Sequence, residues 1–290
     1  MAGASVSGEP APWPAPAKLN LFLHIVGRRP DGYHELQTLF QFVDLCDDIY
    51  IGVRADGEIR LSAGAPGVPP ENDLCLRAAR ALKTASASSQ GADIRVVKRI
   101  PMGGGLGGGS SDAATCLVAL NRLWRLGWSV QELAALGLTL GADVPVFIRG
   151  RAAWAEGVGD RLTPLSPSLA PPECNYLILQ PNVAVPTQDV FQDPQLTRNT
   201  PRITIHGFLA SGGRNDCLGV VRRRYPEVAR ALEWLSPFGE ARLTGTGSCV
   251  FLVCEEARAR ELLGKLPPEW HGYSARGLND SPLLSRLEGA

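Results

Sequence analysis

Polar and apolar residues alternate through KLNLFLHIV, which opens at Lys18. Lys18, Asn20, Phe22 and His24 fall on one face, and Leu19, Leu21, Leu23 and Ile25 on the other. A period of two predicts a strand with one apolar face. The turn-rich GRRPDGYHELQ follows, and TLFQFVDLCDDIYIGV and EIRLSA read as further strands. In ENDLCLRAARALKTA the apolar positions recur three to four apart behind a polar start, which predicts a helix capped by Asn72. ADIRVVKRI is a strand that runs straight into a glycine-rich loop. SSDAATCLVALNRLW predicts a helix beginning at its serines, with serine N-caps and Asp112 in the first turn. SVQELAALGLTLG predicts another, opened by Ser129, and DVPVFIRGRAAWAEG reads as strands and turns.

Pro, Ser and Ala cluster in TPLSPSLAPPEC, which marks a link between halves near residue 165. Beyond it NYLILQP reads as a strand, RLTGTGSCVFLVC as strand–turn–strand, EEARARELLGKL as a helix and GYSARGL as a last strand. Both halves mix helices with hairpin-like strands. The fold class this predicts is α+β, not a doubly wound parallel sheet.

Composition narrows the picture. The 290 residues suffice for two modest domains with a sizeable core. Lys plus Arg and Asp plus Glu number 29 each, so there is no basic excess of the kind nucleic acid demands. A small anionic ligand needs only a local site. The seven cysteines form no CxxC pair and have mostly apolar neighbours, as in CLVAL and SCVFLV. Buried reduced thiols, and therefore a reducing cytoplasm, fit better than zinc or disulfides. The opening MAGASVSGEPAPWPAPAKLN lacks the basic start and apolar core of a secretory signal, and its first dozen residues read as a disordered tail. No uncharged apolar run is long enough to cross a bilayer, so no membrane partner is expected.

The chemistry concentrates in PMGGGLGGGSSDAAT, where six glycines occupy seven positions around Leu106. A strand, a bare-backbone loop and a helix N-terminus together form an anion site, because inward-pointing N–H groups and the helix dipole both favour phosphate. Side chains would keep a phosphate off that backbone. Gly103, Gly105 and Gly108 formally satisfy GxGxxG, yet the acid in the expected window, Glu132, falls in a helix rather than at a strand end. The GK[ST] ending of a Walker A loop is missing, since GGGSS has no lysine.

P-x-x-x-G-L-G-x-S-S-x-A-A, with small insertions, resembles the phosphate loop of the GHMP kinases. PAKLNLFLHIVGRRPDGYHELQTLFQ, LTLGADVPVF and RLTGTGSCVF stand in the family's order around it, so the resemblance runs from about Trp13 to near the C-terminus. It implies a two-domain GHMP kinase fold: an N-terminal ATP-binding domain over 13–165 and a C-terminal ferredoxin-like domain over 166–290. The active site would lie in the cleft between them. It also implies ATP and Mg2+ as cofactors. The implied acceptor is a small molecule, a cytidine-diphosphate-linked methylerythritol, rather than nucleic acid.

On its residues alone, Asp143 in GADVPVF suits a general base and a turn-forming or N-capping Asp equally. The resemblance makes it the catalytic aspartate, with Lys18 beside it holding the carboxylate ionised and polarising the hydroxyl. It implies that Pro101, Met102, Gly103, Gly104, Gly105, Leu106, Gly107, Gly108, Gly109, Ser110 and Ser111 wrap the phosphates, with Asn72 and Lys98 bordering the adenine. Asn20 would orient the methylerythritol hydroxyls, and Thr187 would donate to the substrate. Tyr33 and Phe191 would stack on cytosine while His34 bonds its edge. The TGTGS turn at 244–248 would buttress the phosphate loop. Another small-molecule GHMP kinase, acting on homoserine or a sugar, and a non-catalytic nucleotide-binding protein stay open as alternatives. No magnesium ligand or oligomeric state follows from the sequence.

Overall fold

The computed structural model describes residues 11–288, so the Pro-rich opening expected as a tail lies, up to residue 10, outside the described residues. The first long strand, β1 (Trp13–Arg28), runs antiparallel to β2 (His34–Arg54). On β2 sit β4 (Gly91–Val97), which carries β3 (Ile59–Ala63) in parallel at the edge, and β5 (Ala153–Gly157), which carries β6 (Arg161–Pro164). Helices α1 (Leu74–Ser86), α2 (Gly108–Leu123), α3 (Val130–Leu138) and α4 (Val144–Arg149) contribute to one face of this sheet and bury Phe42, Ile49, Ile94, Leu82, Leu117 and Phe147 in the first core.

The rest of the chain forms β7 (Asn175–Gln180), β8 (Arg242–Leu243), β9 (Val250–Val253) and β10 (His271–Leu278) in the antiparallel order β10-β7-β9-β8. Around them lie α5 (Thr187–Gln192), α7 (Leu218–Arg224), α8 (Pro226–Leu235) and α9 (Glu256–Leu263), which help enclose a second core, while α6 (Ile205–Ser211) packs Phe208 into a third cluster. The two sheets are continuous because β10 also pairs with β2, through Gly277–Val43 and Leu278–Phe42. That third apolar cluster, with Leu19, Phe22, Leu39, Tyr176 and Phe251, fills the space between the sheets. The mixed helix-and-sheet class read from the sequence is the one observed, and among the named strands of the described residues β3–β4 is the parallel pair in an otherwise antiparallel sheet. Among the described residues no helix is long and apolar enough to cross a membrane.

Three local readings need correction. DVPVFIR is not a strand: it is α4, with Pro145 in its first turn and Gly150 as a left-handed C-cap at φ 67°. Short apolar runs have no period that separates strand from helix. The serines do not cap α2: Gly107 holds that position at φ 73°, and Ser110 and Ser111 lie inside the first turn. Asn72 does not cap α1 either, since the carboxylate of Asp73 accepts from the amides of Cys75 and Leu76. A helix unanticipated by pattern, α10 (Pro282–Glu288), returns to the first core through Leu283.

The alternation of β1 is also broken. Its pairing runs Asn20–Phe40 and then Leu23–Thr38, three residues against two. Such a bulge inserts one residue and re-aims the side chains beyond it. Lys18, Asn20 and then Leu23 therefore line one cleft, whereas Phe22 and His24 leave it. The His24 ring stands edge-on to Phe22 instead, with centroids 4.9 Å apart.

Candidate active site

A cleft of about 610 Å³ opens along the seam of the two sheets. Its floor is β1 and β2, through Lys18, Asn20, Leu23, Leu36, Thr38 and Phe40. One end is the glycine loop and the start of α2; the other is α5, with Thr187 and Phe191. Gly245 and Thr246 of the TGTGS turn complete the wall.

At the centre stands Lys18, only 3% exposed. Its ammonium donates to Asn20 Oδ1 at 2.5 Å and to the Gly105 carbonyl at 2.9 Å, and lies 3.5 Å from Asp143 Oδ2. Asp143 precedes α4 in the N-cap position but makes no side-chain capping bond, so its carboxylate is left for the cleft. Asn20 is fixed in turn: its Nδ2 donates to Thr38 Oγ1 at 2.9 Å and its backbone N–H to Thr244 Oγ1 at 3.0 Å. Lys18, Asn20 and Asp143 are thus brought together from positions far apart in the chain. Thr38 and Phe40, whose ring lies 5.5 Å from the Lys18 ammonium, escaped sequence reasoning, although both stand on the β2 face opposite Asn20 and Leu23.

The glycines serve the fold as well as a ligand. Gly103, Gly105 and Gly107 adopt φ of 68°, 77° and 73°, which strains any residue with a Cβ. A Cβ on Gly105 would meet the Thr244 carbonyl oxygen at 2.4 Å, and one on Gly104 would meet Cys249 Sγ at 2.4 Å. The Cys249 N–H donates to the Gly104 carbonyl at 3.1 Å. The TGTGS turn therefore presses directly on the loop, and close backbone approach is a second reason for glycine beside the one read from the sequence. Of the expected loop residues, Pro101 through Ser110 line the cleft, while Ser111 is fully buried behind it and its Oγ has no hydrogen-bond partner.

Lys98 lines the cleft, but its ammonium is committed to a buried ion cluster, 2.5 Å from Asp47 and 2.6 Å from Asp112. Burial opposes the charge on Lys98, yet Asp112 and Asp47 outweigh it and raise its pKa. Burial likewise pushes the Asp112 carboxyl up to about 8, with Lys98 pulling the other way and Asp47 adding repulsion. Asp47 also accepts from the Arg99 and Ile100 amides and so ties β2 to the base of the glycine loop. It lies 51 residues from Lys98, and no local pattern signals it. Asn72 borders the cleft beside Ala65 and Val68 of the preceding loop.

At the α5 end, Phe191 lines the cleft, and Thr187 Oγ1 sits 3.0 Å from Thr246 Oγ1. The His34 ring stacks on Phe191, with centroids 5.1 Å apart and planes 24° from parallel. Burial, and then the Arg198 and Arg28 guanidiniums, hold His34 below the usual imidazole range. Neither His34, buried against Phe191, nor Tyr33, 65% exposed at the tip of the β1–β2 hairpin, is among the residues lining the cleft.

This chain matches the GHMP kinases N terminal domain over residues 73–151 and the GHMP kinases C terminal domain over residues 205–271. It is 57% identical over 276 residues to a 4-diphosphocytidyl-2-C-methyl-D-erythritol kinase of Pseudomonas savastanoi pv. phaseolicola, covering 95% of this chain and 94% of that one. The chain belongs to the GHMP kinase family. A relative of the same name from Nitrosococcus oceani is 57% identical over 277 residues, covering 95% and 98% of the two chains. Among solved structures, a 4-(cytidine 5'-diphospho)-2C-methyl-D-erythritol kinase superposes with a TM-score of 0.78 at 35% identity, covering 91% of this GHMP kinase and 98% of that chain. The family match accounts for the glycine loop, which falls within the N-terminal region, and identifies this GHMP kinase as a small-molecule kinase.

Proposed function

We propose that this GHMP kinase transfers the terminal phosphoryl group of ATP to the 2-hydroxyl of 4-diphosphocytidyl-2-C-methyl-D-erythritol, the molecule named in its relatives. The hydroxyl oxygen forms a bond to the γ-phosphorus, the bond to the β-phosphate oxygen breaks, ADP leaves and the hydroxyl proton passes to Asp143. The observation that carries this reading is the Lys18–Asp143 pair, 3.5 Å apart in the same cleft as the glycine loop. Phosphoryl transfer asks mainly for positioning and charge stabilisation. Lys18 supplies the charge, anchored by Asn20 and the Gly105 carbonyl so that it sits between loop and base. Asn20 is placed to orient the acceptor hydroxyls.

The N-terminus of α2 and the bare loop at Gly103–Gly109 suit a nucleotide triphosphate, with Asn72 and Val68 bordering the base. Ser110 and Asp112 offer oxygen at the loop, the donor type that suits magnesium, and Asp112 Oδ1 is buried without a partner. Magnesium, when bound, neutralises charge on the phosphates. At the α5 end His34, Phe191 and Thr187 receive the cytidine diphosphate portion, and Tyr33 closes over the base from the hairpin tip. The division at 13–165 and 166–290 follows the proline-rich link, with the cleft between the parts. Seven free cysteines fit a reducing cytoplasm.

The test is a coupled ADP-release assay with ATP, magnesium and 4-diphosphocytidyl-2-C-methyl-D-erythritol, run on wild type, Asp143→Asn and Lys18→Ala. Turnover in wild type and collapse in both variants, with ATP still bound, supports the reading. A wild type that binds ATP and leaves this acceptor untouched overturns it.

A further inference from the structure

His34 has two ring nitrogens, and the surroundings of one decide the state of the other. Its Nε2 receives a hydrogen bond from Arg198 Nε at 3.0 Å. A guanidinium offers only donors and keeps its protons. Nε2 is therefore the bare nitrogen, and in a neutral imidazole the proton must sit on Nδ1. Burial and the adjacent guanidiniums favour that neutral ring. Nδ1 makes no hydrogen bond among the described residues, and the ring stacks on Phe191, which lines the cleft, so the N–H is left unclaimed beside it.

Arg198 is itself held by its other nitrogens. Nη2 donates to the Phe191 carbonyl at 2.9 Å and to the Asp193 carbonyl at 2.8 Å, and Nη1 donates to the Leu196 carbonyl at 3.1 Å. One guanidinium thus fixes both the backbone that carries the stacking ring and the imidazole that lies on it. Lysine, a single point donor, cannot reproduce that fork.

We propose that Arg198 is a positioning residue that locks His34 as an Nδ1–H donor, and that this lock makes the pocket select cytosine over uracil. The inference rests on the cytidine reading above. Cytosine presents a bare acceptor at ring N3, which an Nδ1–H can satisfy. Uracil presents N–H at that position, so two donors would face each other. A mismatch of that kind leaves polar groups unpaired on both sides, which is the strong form of discrimination. Without Arg198 the ring is free to move its proton to Nε2 and offer a bare Nδ1, which no longer penalises uracil.

The test combines ¹⁵N NMR of His34 with calorimetric binding of cytidine 5'-diphosphate and uridine 5'-diphosphate, the ATP site being filled by a non-hydrolysable ATP analogue. Wild type should show the Nδ1–H tautomer and prefer the cytidine ligand by about a hundredfold. Arg198→Met should show mixed tautomers and lose about tenfold of that preference, with affinity for the ATP analogue unchanged. Arg198→Lys, which keeps a charged donor without the fork, should recover part of both. Equal binding of the two pyrimidines by wild type would sink the cytidine reading itself. Discrimination in wild type that survives in Arg198→Met, with the tautomer intact, would overturn the role of Arg198 alone. A parallel loss of both ligands with no tautomer change would reduce Arg198 to a structural tie and also overturn it. Should Arg198→Met fail to fold, an Nε2–H tautomer in wild type is by itself enough to reject the lock.

Discussion

The two ends of the cleft are built in different ways. At the phosphate end the backbone itself is the wall, pinned by contacts that leave no room for a Cβ at Gly104 or Gly105. At the α5 end the wall is a side chain, Phe191, tied to His34 and Arg198 by one stack and a handful of hydrogen bonds. A site common to a family of kinases can be written into the fold. The part that recognises one acceptor has to be written in side chains, where it can change without disturbing the core.

The largest break in that comparison should come from the chemistry at its centre. Asp143→Asn is expected to lower kcat by about 10²–10⁴-fold, the usual worth of a general base, and to leave ATP affinity nearly unchanged. Pre-steady-state ADP release checks it. The phosphate end should respond next. Gly105→Ala is expected to destabilise the fold by about 2 kcal/mol or more, since it combines left-handed strain with a clash against Thr244. Gly103→Ala meets nothing within 4 Å and should cost only the strain, about 1 kcal/mol. Denaturant titration of the two variants separates packing from conformation.

At the base end, Phe191→Ala should raise KM for the cytidine acceptor about tenfold, the worth of one stacked base. Tyr33→Ala should raise it by a similar factor, since the exposed hairpin tip closes over bound base. An effect below about threefold in a side-by-side KM comparison would mean that the tip stays off the base. The remaining effect concerns pH. Asp112 titrates near 3.8 when unfolded and is pushed up to about 8 by burial in the folded protein. The folded state therefore holds the proton more tightly, and stability is greatest below pH 4 on this account and is lost as pH rises toward 8. Asp112→Asn should flatten that decline, so that the Tm difference between pH 5 and pH 8 shrinks. Calorimetric scans at the two pH values would show no change if the cluster is already fully ionised.

Much of this molecule is legible in its sequence because local chemistry repeats itself there. The glycine loop stands out against the rest of the chain and lines the cleft, the period of two finds β1, and short apolar runs find β7 and β9. What the sequence hides is either short or remote. Six residues of α4 are too few and too uniformly apolar to show a helical period, although Pro145 and Gly150 mark its two ends. The bulge in β1 leaves no trace in the alternation, yet it decides that Leu23 rather than Phe22 faces the cleft. Asp47 and Arg198 act on Lys98 and His34 across 51 and 164 residues, and separations of that size are visible only once the sheet has formed.

One feature of that sheet bears on how the chain is made. The strand that welds the two sheets, β10, and the helix that completes the first core, α10, both belong to the far end of the sequence. Leu283 lies in the same cluster as Trp13, and the Arg286 guanidinium lies over the Trp13 ring at 4.8 Å. A nascent chain therefore carries its glycine loop out of the ribosome long before the pieces that complete the sheet and the first core, and Trp13 lacks the Arg286 cover until α10 arrives. Stretches truncated anywhere before α10 should be poor folders and good chaperone clients, however complete their catalytic residues.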